Sequence, residues 1–332
     1  MPSPIFGSGV SAVYQIQTDF GVFPSSGSWR PLSAYDRSDG KTKPREVDAL
    51  LGRQGHNKRD PEASAPGLVQ GGGQIIVPIC LREFGYWLTA TYGAPETEEA
   101  SGVFTHVWES GKETPVYLAQ SKKLKADWFE RTRGLFVNTL GINITKEAGF
   151  PRATLGTLLR DVAKATAEAS GTVEEAFALL RPAAARPFVS RNGGAAPTTA
   201  FTFNYGNQAE RYDPLKPLGQ ESEYPDGYDY GDSQINGSFT VRLEDATFDD
   251  LSEADTKEPW TFGWRVNNGL GVGSHATLSC EVANLSIDQS PKAVNTRSRL
   301  FHTYNWTAEQ TADEPAVKWT LVNDVEGYPP PP

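Results

Sequence analysis

The residues that most often do chemistry in proteins are few in this chain and widely scattered. Its four histidines are His56, His106, His275 and His302. No two of them stand at the His-x-His or His-x-x-x-His spacing by which imidazoles share a metal ion, so the sequence predicts neither a metal site nor a general base among them. His106 lies close to Glu109, but alternation along a strand would put these two side chains on opposite faces.

Three other patterns resemble functional motifs but fit ordinary structural roles better. The alternating glycines of residues 269–273 lead into a strand, which favours a hairpin loop over a phosphate cradle. The aspartates within 226–232 lack the tighter spacing and the distal glutamate of a calcium loop. Acidic pairs such as Glu174-Glu175 are adjacent, without a placement for acid–base work, and no Gly-x-Ser-x-Gly motif occurs. The sequence therefore predicts a protein that is not an enzyme and that holds no cofactor and no metal.

Composition indicates a turn-rich β protein. The 332 residues have a mean hydropathy of −0.46 and include 32 glycines and 24 prolines, which favours an all-β fold with long loops. A chain of this length forms one large or two medium domains. Its net charge of −10 argues against a protein that grips DNA by neutralising phosphates, but not against a surface that DNA slides past. Cys80 and Cys280 show no CxxC spacing and are predicted to be buried, reduced thiols.

The N-terminus and the hydropathy profile indicate a protein made and folded in the cytoplasm. The first residues have neither the basic segment nor the continuous apolar stretch of a secretory signal. No window approaches the ~18 apolar residues of a membrane helix, so we predict no membrane insertion.

Alternation of apolar and polar residues predicts strands over most of the chain. The predicted strands are 11–17, 29–32, 74–81, 103–108, 116–120, 134–145, 201–205, 239–243, 260–266, 275–287, 300–306 and 317–325. A short amphipathic helix stopped by glycine is predicted over 84–93, and a change of phase near Ala283-Asn284 predicts a β-bulge. The segment 152–180 is open to both interpretations, because its alanines favour a helix whereas Leu155, Thr157 and Leu159 alternate.

Two long loops and a linker suggest how the chain is organised. The charged residues 36–68 are interpreted as a loop that contacts a partner, and a second acidic and aromatic loop runs over 211–232. Pro, Ala and Gly enrichment marks a connector. We predict an N-terminal module at 1–181, the connector at 182–200 and a C-terminal module at 201–332.

An internal repeat would relate the two modules. A single shift, nearly half the chain in length, places Gly73 on Gly237, Ile75 on Phe239, Val77 on Val241, Ile79 on Leu243 and Phe84 on Phe248. We call this displacement, which carries Gly73 onto Gly237, the repeat shift. Alternating strands match each other easily, and the later pair 142–144 and 285–287 needs a different shift. Duplication into two tandem modules is therefore a hypothesis that leaves a single unrepeated module as the alternative.

Several short motifs, taken in order, resemble those of the tail tube proteins of long-tailed bacteriophages. The motifs are Gly7–Gly21, Arg59-Asp-Pro61, Gly71–Ile79, Phe84-Gly-Tyr-Trp-Leu88, Tyr92-Gly-Ala-Pro95, Phe104–Trp108, Ser110-Gly111, Thr114-Pro-Val116 and Leu321-Val-Asn-Asp324. Each motif is short and structural, so the resemblance rests on their order over most of the chain. The charged first arm and the alanine-rich 152–180 depart from the family pattern.

The resemblance implies a structural virion protein with a β-sandwich or half-barrel fold and short packed helices. Such subunits join edge to edge into rings that stack into a tube and conduct DNA, which would be in contact with the protein only in transit. Duplicated chains would make a trimeric, pseudo-hexameric ring, and single-module chains a hexamer. The implied partners are a tape measure protein, a tail terminator and baseplate or hub proteins, and the implied location is the virion tail.

The resemblance also suggests which residues carry these roles. Candidates for the lumen are Glu244, Asp245 and Asp249. Candidates for contacts between subunits or rings are Trp29, Arg59, Tyr212, Tyr224, Tyr228 and Tyr230.

Two other classes fit parts of the sequence. A β-sandwich adhesin or carbohydrate-binding module would suit the aromatic and acidic loops, and it predicts a discrete cleft and a molecule that does not stack. A hydrolase would need carboxylates that converge in a pocket, which the spacing does not indicate.

Overall fold

The computed structural model of the protein describes residues 7–47, 64–219, 222–267, 275–292 and 299–328. Strands account for 53% of the structure and helices for 6%, so the predicted all-β fold is confirmed. Within these ranges, twenty strands join into one hydrogen-bonded sheet, and two pairs of strands form small separate sheets.

The elements follow one another through mostly short turns. In the first part of the chain a 3₁₀ turn, Gly7–Gly9, precedes β1 Ser11–Gln17, β2 Ser28–Pro31, β3 Asp36–Arg37, β4 Gly40–Thr42, β5 Arg45–Val47, β6 Ser64–Pro66, β7 Gln70–Pro78, the helix α1 Phe84–Tyr92, β8 Glu96–Ala100, β9 Val103–Glu109, β10 Tyr117–Lys125, β11 Trp128–Thr145, β12 Arg152–Leu158, β13 Asp161–Ala165 and β14 Thr172–Val173. In the second part follow β15 Pro187–Arg191, β16 Gly194–Ala195, β17 Thr198–Gly206, β18 Glu210–Tyr212, β19 Gly227–Asp229, β20 Gln234–Arg242, the helix α2 Thr247–Glu253, β21 Glu258–Asn267, β22 His275–Ile287, β23 Phe301–Glu309 and β24 Val317–Asn323.

Two groups of antiparallel strands repeat one arrangement. In the first group β3 and β4 pair with β7, and the order then runs β7–β12–β11–β10–β1. In the second group β17 pairs with β20, and the order runs β20–β23–β22–β21–β15. β13 also pairs with β11 as β24 pairs with β22. Each group carries a small two-stranded sheet, β5–β6 or β18–β19, and then a helix in the same place in the chain order.

The register of pairing recurs at the repeat shift. Asp36 lies opposite Ile76 in the first group, and Ala200 lies opposite Thr240 in the second. The pairs of β4 with β7 are related to those of β17 with β20 by the same displacement. This is the shift at which the sequence matches itself, so the hypothesis of a repeat agrees with the pairing of these strands.

The core lies between the sheet and the helices and is rich in aromatic rings. All nine residues of α1 are buried, which suits a helix that is apolar on every side. Gly93 ends it, because its φ of +88° favours glycine and its N–H donates to the Thr89 carbonyl at 2.9 Å. In the second group Phe248 of α2 packs on Phe239, with ring centroids 5.1 Å apart. Both cysteines are free and buried, as predicted.

Several elements predicted from alternation are confirmed. β1 occupies the predicted residues 11–17, and α1 occupies all but the last residue of the predicted helix. The predicted bulge is present, because Trp260 lies opposite Val282 whereas Glu258 lies opposite Leu285, which leaves one extra residue on β22.

The ambiguous segment 152–180 contains strands and no helix. Ala153, Leu155 and Thr157 of β12 are buried on one face. Packing of this face against the core therefore outweighs the helical propensity of the alanines. The charged arm holds more structure than expected, since β3, β4, β5 and β6 lie within it, while its residues 48–63 lie outside the described residues.

The predicted connector and the region of α2 contain more regular structure than the sequence predicted. The predicted connector contains β15, β16 and the first residues of β17, and the division into modules stays a prediction. Helix α2 was not located from the sequence, because only Phe248 of its seven residues is buried and no apolar period marks it.

A buried amide fastens the end of β24 to the segment that precedes α1 and to the residues that follow β24. Asn323 is fully buried at the end of β24. Its Nδ2 donates to the Leu81 carbonyl and to the Tyr328 hydroxyl, at 2.6 Å each, and its Oδ1 accepts the Val325 N–H at 3.0 Å. The side chain thus satisfies polar groups that water does not reach.

We expect Asn323→Leu to lower the free energy of unfolding by about 3 kcal/mol, because the Leu81 carbonyl and the Val325 N–H lose their partner inside the core. Asn305→Leu, at an exposed position of β23, is the matched control and should change it by less than about 0.5 kcal/mol. Chemical denaturation of the two variants measures the difference, and equal stabilities would contradict the assigned role.

Candidate functional site

Two of the histidines, His106 and His302, take part in hydrogen bonds within the fold. His106 is buried with its Nε2 2.9 Å from the Val325 carbonyl, and burial lowers its pKa. His302 lies 2.7 Å from the Ser290 hydroxyl. In the described ranges no three His, Cys, Asp or Glu side chains are grouped so as to hold a metal ion.

The helices of the described residues are short. None of them has both the length and the apolar character that crossing a membrane requires.

A backbone seam joins the two groups of strands. The second half of β11 pairs with β17, from Thr139 opposite Gly206 to Thr145 opposite Ala200. The other edge of this stretch pairs with β12, so β11 belongs to both groups. Ile142, opposite Phe203, points into the core with it. The seam is therefore held by a β-ladder and by buried side chains, and not by loop contacts alone.

The strands that correspond to this seam at the far ends have free edges. β3 and β4 take the place of β17, yet among the described strands they pair with β7 alone. β23 takes the place of β12, but β22 pairs with it only over 306–309. Residues 288–292 then run beside β23, where the Asp288 N–H donates to the Asn305 carbonyl at 2.9 Å. Free edges of this kind are templates for another strand.

Apart from the half-buried Ile76 and Leu158 and the residues at the strand ends, the sheet surface turned away from the core is polar and uncharged across β7, β12, β11, β17, β20 and β23. Alternation produces it, since Leu140 and Ile142 of β11 are buried while Thr139 and Asn143 are exposed. We call this surface the polar face. Its members are Gln74, Thr139, Asn143, Thr145, Thr154, Thr202, Asn204, Gln234, Asn236, Ser238, Thr240, Thr303, Asn305 and Thr307.

Neighbouring strands interact across the polar face through neutral groups. The Thr202 and Ser238 hydroxyls lie 2.9 Å apart, and so do, at 2.8 Å, those of Thr240 and Thr303. Such hydroxyl pairs stabilise adjacent strands and keep their side chains ordered.

Charged residues stand at the margins of the polar face. Arg242 forms an ion pair with Glu244 at the end of β20, and Arg152 begins β12. A concavity of about 970 Å³ lies over the face and is bordered by Glu147 and Phe150 of the β11–β12 connection.

The acidic candidates for a lumen do not lie together. Glu244 adjoins the margin of the polar face, and Asp245 accepts the Thr247 N–H at 3.0 Å where α2 begins. Asp249 lies in α2, on the core side of the sheet, where it pairs with Lys292 and accepts the Tyr304 hydroxyl at 2.8 Å. The hydrogen bond from Lys292 holds the pKa of Asp249 below its usual value. A lumen-facing role for these three residues stays a prediction.

The candidate contact aromatics also differ in placement. Trp29 is fully buried, stacks on Phe23 and donates to the Ser170 carbonyl at 2.9 Å. Tyr228 is buried and Tyr230 half-buried, and both pack on Phe136.

The remaining contact candidates lie nearer the surface or outside the described residues. Tyr224 is half-buried and lies 5.8 Å from the Lys41 ammonium, and Tyr212 is 51% exposed. Arg59 lies outside the described residues. The contact roles proposed for all six residues stay predictions.

The two long loops dock against each other and expose an apolar tip. Lys43 of the first loop pairs with Glu223 of the second, whose carbonyl also accepts the Val69 N–H at 2.9 Å. Between β18 and β19, Leu215 and Leu218 are 104% and 97% exposed. The sequence prediction named the tyrosines of this loop as contact residues and missed these two leucines. Two apolar residues in a polar, proline-rich loop could have indicated an interaction site.

A buried carboxylate ties the free edge of β4 to the sheet. The side chain of Asp161 is 4% exposed and accepts Lys41 at 2.7 Å and Arg133 at 2.5 Å. Burial alone would raise the pKa of Asp161, but the hydrogen bonds and charges of Lys41 and Arg133 outweigh it and lower the pKa. A folded-state pKa below the unfolded one stabilises the fold above the unfolded pKa, and this stabilisation is lost as the pH falls through the folded pKa.

We expect Asp161→Asn to lower the free energy of unfolding at pH 7 by about 2 kcal/mol, less than for a fully enclosed pair because Lys41 reaches water. The deficit should shrink as the pH is lowered from 5 towards 2, where the wild-type carboxylate is protonated as well. Glu223→Gln, which removes the exposed partner of Lys43, is the control and should leave stability nearly unchanged. Urea denaturation across this pH range is the measurement, and a deficit independent of pH would contradict the assignment.

Comparison with known proteins gives one match of high coverage. Residues 7–308 match the model of a family described as "Phage tail tube protein". No curated protein matches the chain.

Proposed function

The chain belongs to the phage tail tube protein family, and we propose from this premise that it is the subunit of a tube whose rings close by repeating the seam between β11 and β17. The subunit is a structural component of the virion tail, made in the cytoplasm of the host. The observation that carries the proposal is that the intrachain seam has a counterpart at each end of the sheet, and both counterparts have a free edge.

The seam supplies a template for the contact between copies. Asp288 bonds to Asn305 where, in the first group, Thr139 lies opposite Gly156, so residue 288 corresponds to 139. Continued in the same register, residues 288–292 would correspond to 139–143. Residues 38–42 correspond to 202–206 by the repeat shift. We propose that 288–292 of one copy pair antiparallel with 38–42 of the next. Except at Pro291, which has no N–H to donate, pairing satisfies the free backbone groups of both edges, which otherwise expose each copy to uncontrolled aggregation.

Ring size follows from the two groups in each chain. If the seam within a chain and the contact between chains are equivalent, each copy contributes two of the repeating units. Three chains then close a ring of pseudo-sixfold symmetry, in the way that heterologous contacts close when their rotation divides a full turn. A hexameric ring is expected instead if each chain supplies a single, unrepeated unit.

Rings stack into a tube through the long loops that extend from the sheet. Nothing in the described part of the same copy buries the tip with Leu215 and Leu218, and the neighbouring Tyr212 is half exposed. We assign this tip to contact with a copy of the chain in the adjacent ring, because aromatic and large apolar residues concentrate at the centres of interfaces. The finished tube would surround a tape measure protein during assembly, end at terminator and baseplate or hub proteins, and conduct DNA afterwards.

A disulfide between copies tests ring closure. In the proposed register Ser290 lies opposite Gly40, where a Cβ meets no neighbouring atom. Residues opposite each other across antiparallel strands have Cα atoms about 4.5–5.5 Å apart, within disulfide reach. We expect the doubly substituted chain Gly40→Cys/Ser290→Cys to form covalent dimers and trimers, and nothing larger, when assembled tubes are oxidised and run on a denaturing gel.

The mismatched pair Thr42→Cys/Lys292→Cys is the control, because the same register offsets these positions along the strands, and it should stay monomeric. The native thiols do not interfere, since both are buried. Tubes that form no cross-link with the matched pair would rule out this contact, a ladder extending to hexamers would rule out the trimer, and a wild-type protein that stays monomeric would favour a non-stacking binding module.

The apolar tip gives a prediction about stacking. The double variant Leu215→Ser/Leu218→Ser should shorten tubes at least about fivefold at equal protein concentration, because each buried leucine contributes about 1.5–3 kcal/mol at an interface. Leu179→Ser, at another exposed leucine, is the control and should leave tube length unchanged. Electron microscopy measures the lengths. Wild-type lengths for the double variant would assign stacking to another surface.

A further inference from the structure

We propose that the polar face lines the channel and that DNA in transit meets a wall of neutral hydroxyl and amide groups, with charge confined to its margins. This inference rests on the proposed function and adds to it the chemistry of the channel wall. The partner it fits is a hydrated polyanion that must slide without being held.

The face is the one side of the sheet that an assembled ring leaves to solvent. The opposite side carries the aromatic core and the helices, as Phe239 of β20 shows by packing under α2. The polar face is also the side with the broad concavity. When sheet edges join around a ring, the concave side turns inward, so the helices lie outside and the polar face faces the axis.

Charge is absent from the middle of this face. The members in the middle of the strands are all neutral, although charged residues make up 22% of the chain. The charged residues at the same alternate positions, Arg152, Arg242 and Glu309, stand at strand ends. The acidic excess of the protein therefore lies elsewhere, and repulsion from the wall is not what keeps DNA moving.

Neutral polar groups suit a sliding polyanion for a physical reason. Each lysine or arginine that meets a phosphate releases counterions and adds binding that holds the duplex in place. Hydroxyl and amide groups keep an ordered water layer whose hydrogen bonds exchange readily. Contact between DNA and this layer therefore costs little free energy and binds the DNA only weakly. Glu244 and Arg242 at the margin would meet the duplex, if at all, at the rim of each ring.

The orientation of the polar face is tested by labelling a thiol in assembled tails. Asn204 is exposed at the centre of the face and is replaced in Asn204→Cys, while the two native cysteines are buried and unreactive. We expect a small methanethiosulfonate reagent to label Cys-substituted virion tails, and a maleimide carrying a large polymer to label free subunits but not tubes. Equal labelling of tubes and subunits by the large reagent would place the face outside and overturn the inference while leaving the tube itself intact.

The neutrality of the wall is tested in the same virions after assembly, so that a folding defect cannot intervene. Modification of Asn204→Cys with a trimethylammonium reagent should slow triggered DNA release at least about tenfold at low salt, with recovery as salt is raised. A neutral reagent of similar size should change the rate less than about twofold. Glu98→Cys, at an exposed position of β8, is the matched control and should respond to neither reagent.

Release at the wild-type rate from virions that carry the cationic label would overturn the inference. Equal slowing by the neutral reagent would do the same, since it would show obstruction rather than charge. Failure of the wild-type chain to form tubes would instead count against the proposed function.

Discussion

The backbone pairing of β11 with β17 is the interaction on which the rest of this structure depends. It joins two groups of strands that share one arrangement, and it does so with main-chain hydrogen bonds above a continuous core. A seam of this kind needs no particular side chain at its edge, so the same geometry serves wherever the arrangement recurs. Its counterparts at β3–β4 and where residues 288–292 follow β22 are the places where a single copy leaves it unfinished.

An edge that is built to pair must also be kept from pairing wrongly. The free edge of β3 and β4 is short, and it carries Arg37 and Lys41 in ion pairs with Asp39 and Asp161. Short edge strands with charged side chains resist indiscriminate sheet addition. The edge is thus selective, because a partner must bring the matching register and must tolerate these charges.

The two sides of the sheet have opposite chemistry for related reasons. Alternation along β11, β17 and β20 sends aromatic and aliphatic residues to the core and threonine, asparagine and serine to the polar face. The β-branched threonines suit exposed strands because they favour extended backbone without adding charge. The alternation of apolar and polar residues with a period of two therefore produces both the buried core that stabilises the subunit and the surface that we assign to the channel.

Much of the fold could be predicted from alternation, because burial on one face leaves a period of two in the sequence. The bulge at Ala283-Asn284 and the repeat shift are both legible in that pattern. The strands within 152–180 were ambiguous because alanine favours helices in isolation, and only packing on the core decides.

The candidate site was less predictable than the fold. Which edges stay free depends on pairing between distant strands, which no local pattern encodes. The polar face could have been predicted from the threonines and asparagines at alternate positions, but neutral residues are a weaker indication of function than the acidic residues Glu244 and Asp245. The position of Trp29 near a loop was in turn misleading, because this tryptophan is fully buried.

A cryo-electron microscopy map of the assembled wild-type tube tests the central claim most directly. We predict one sheet that runs unbroken around each ring of three chains, with residues 38–42 of every copy hydrogen-bonded to 288–292 of its neighbour. A map in which the edge of β3 and β4 faces solvent, or is covered by any other element, would contradict it.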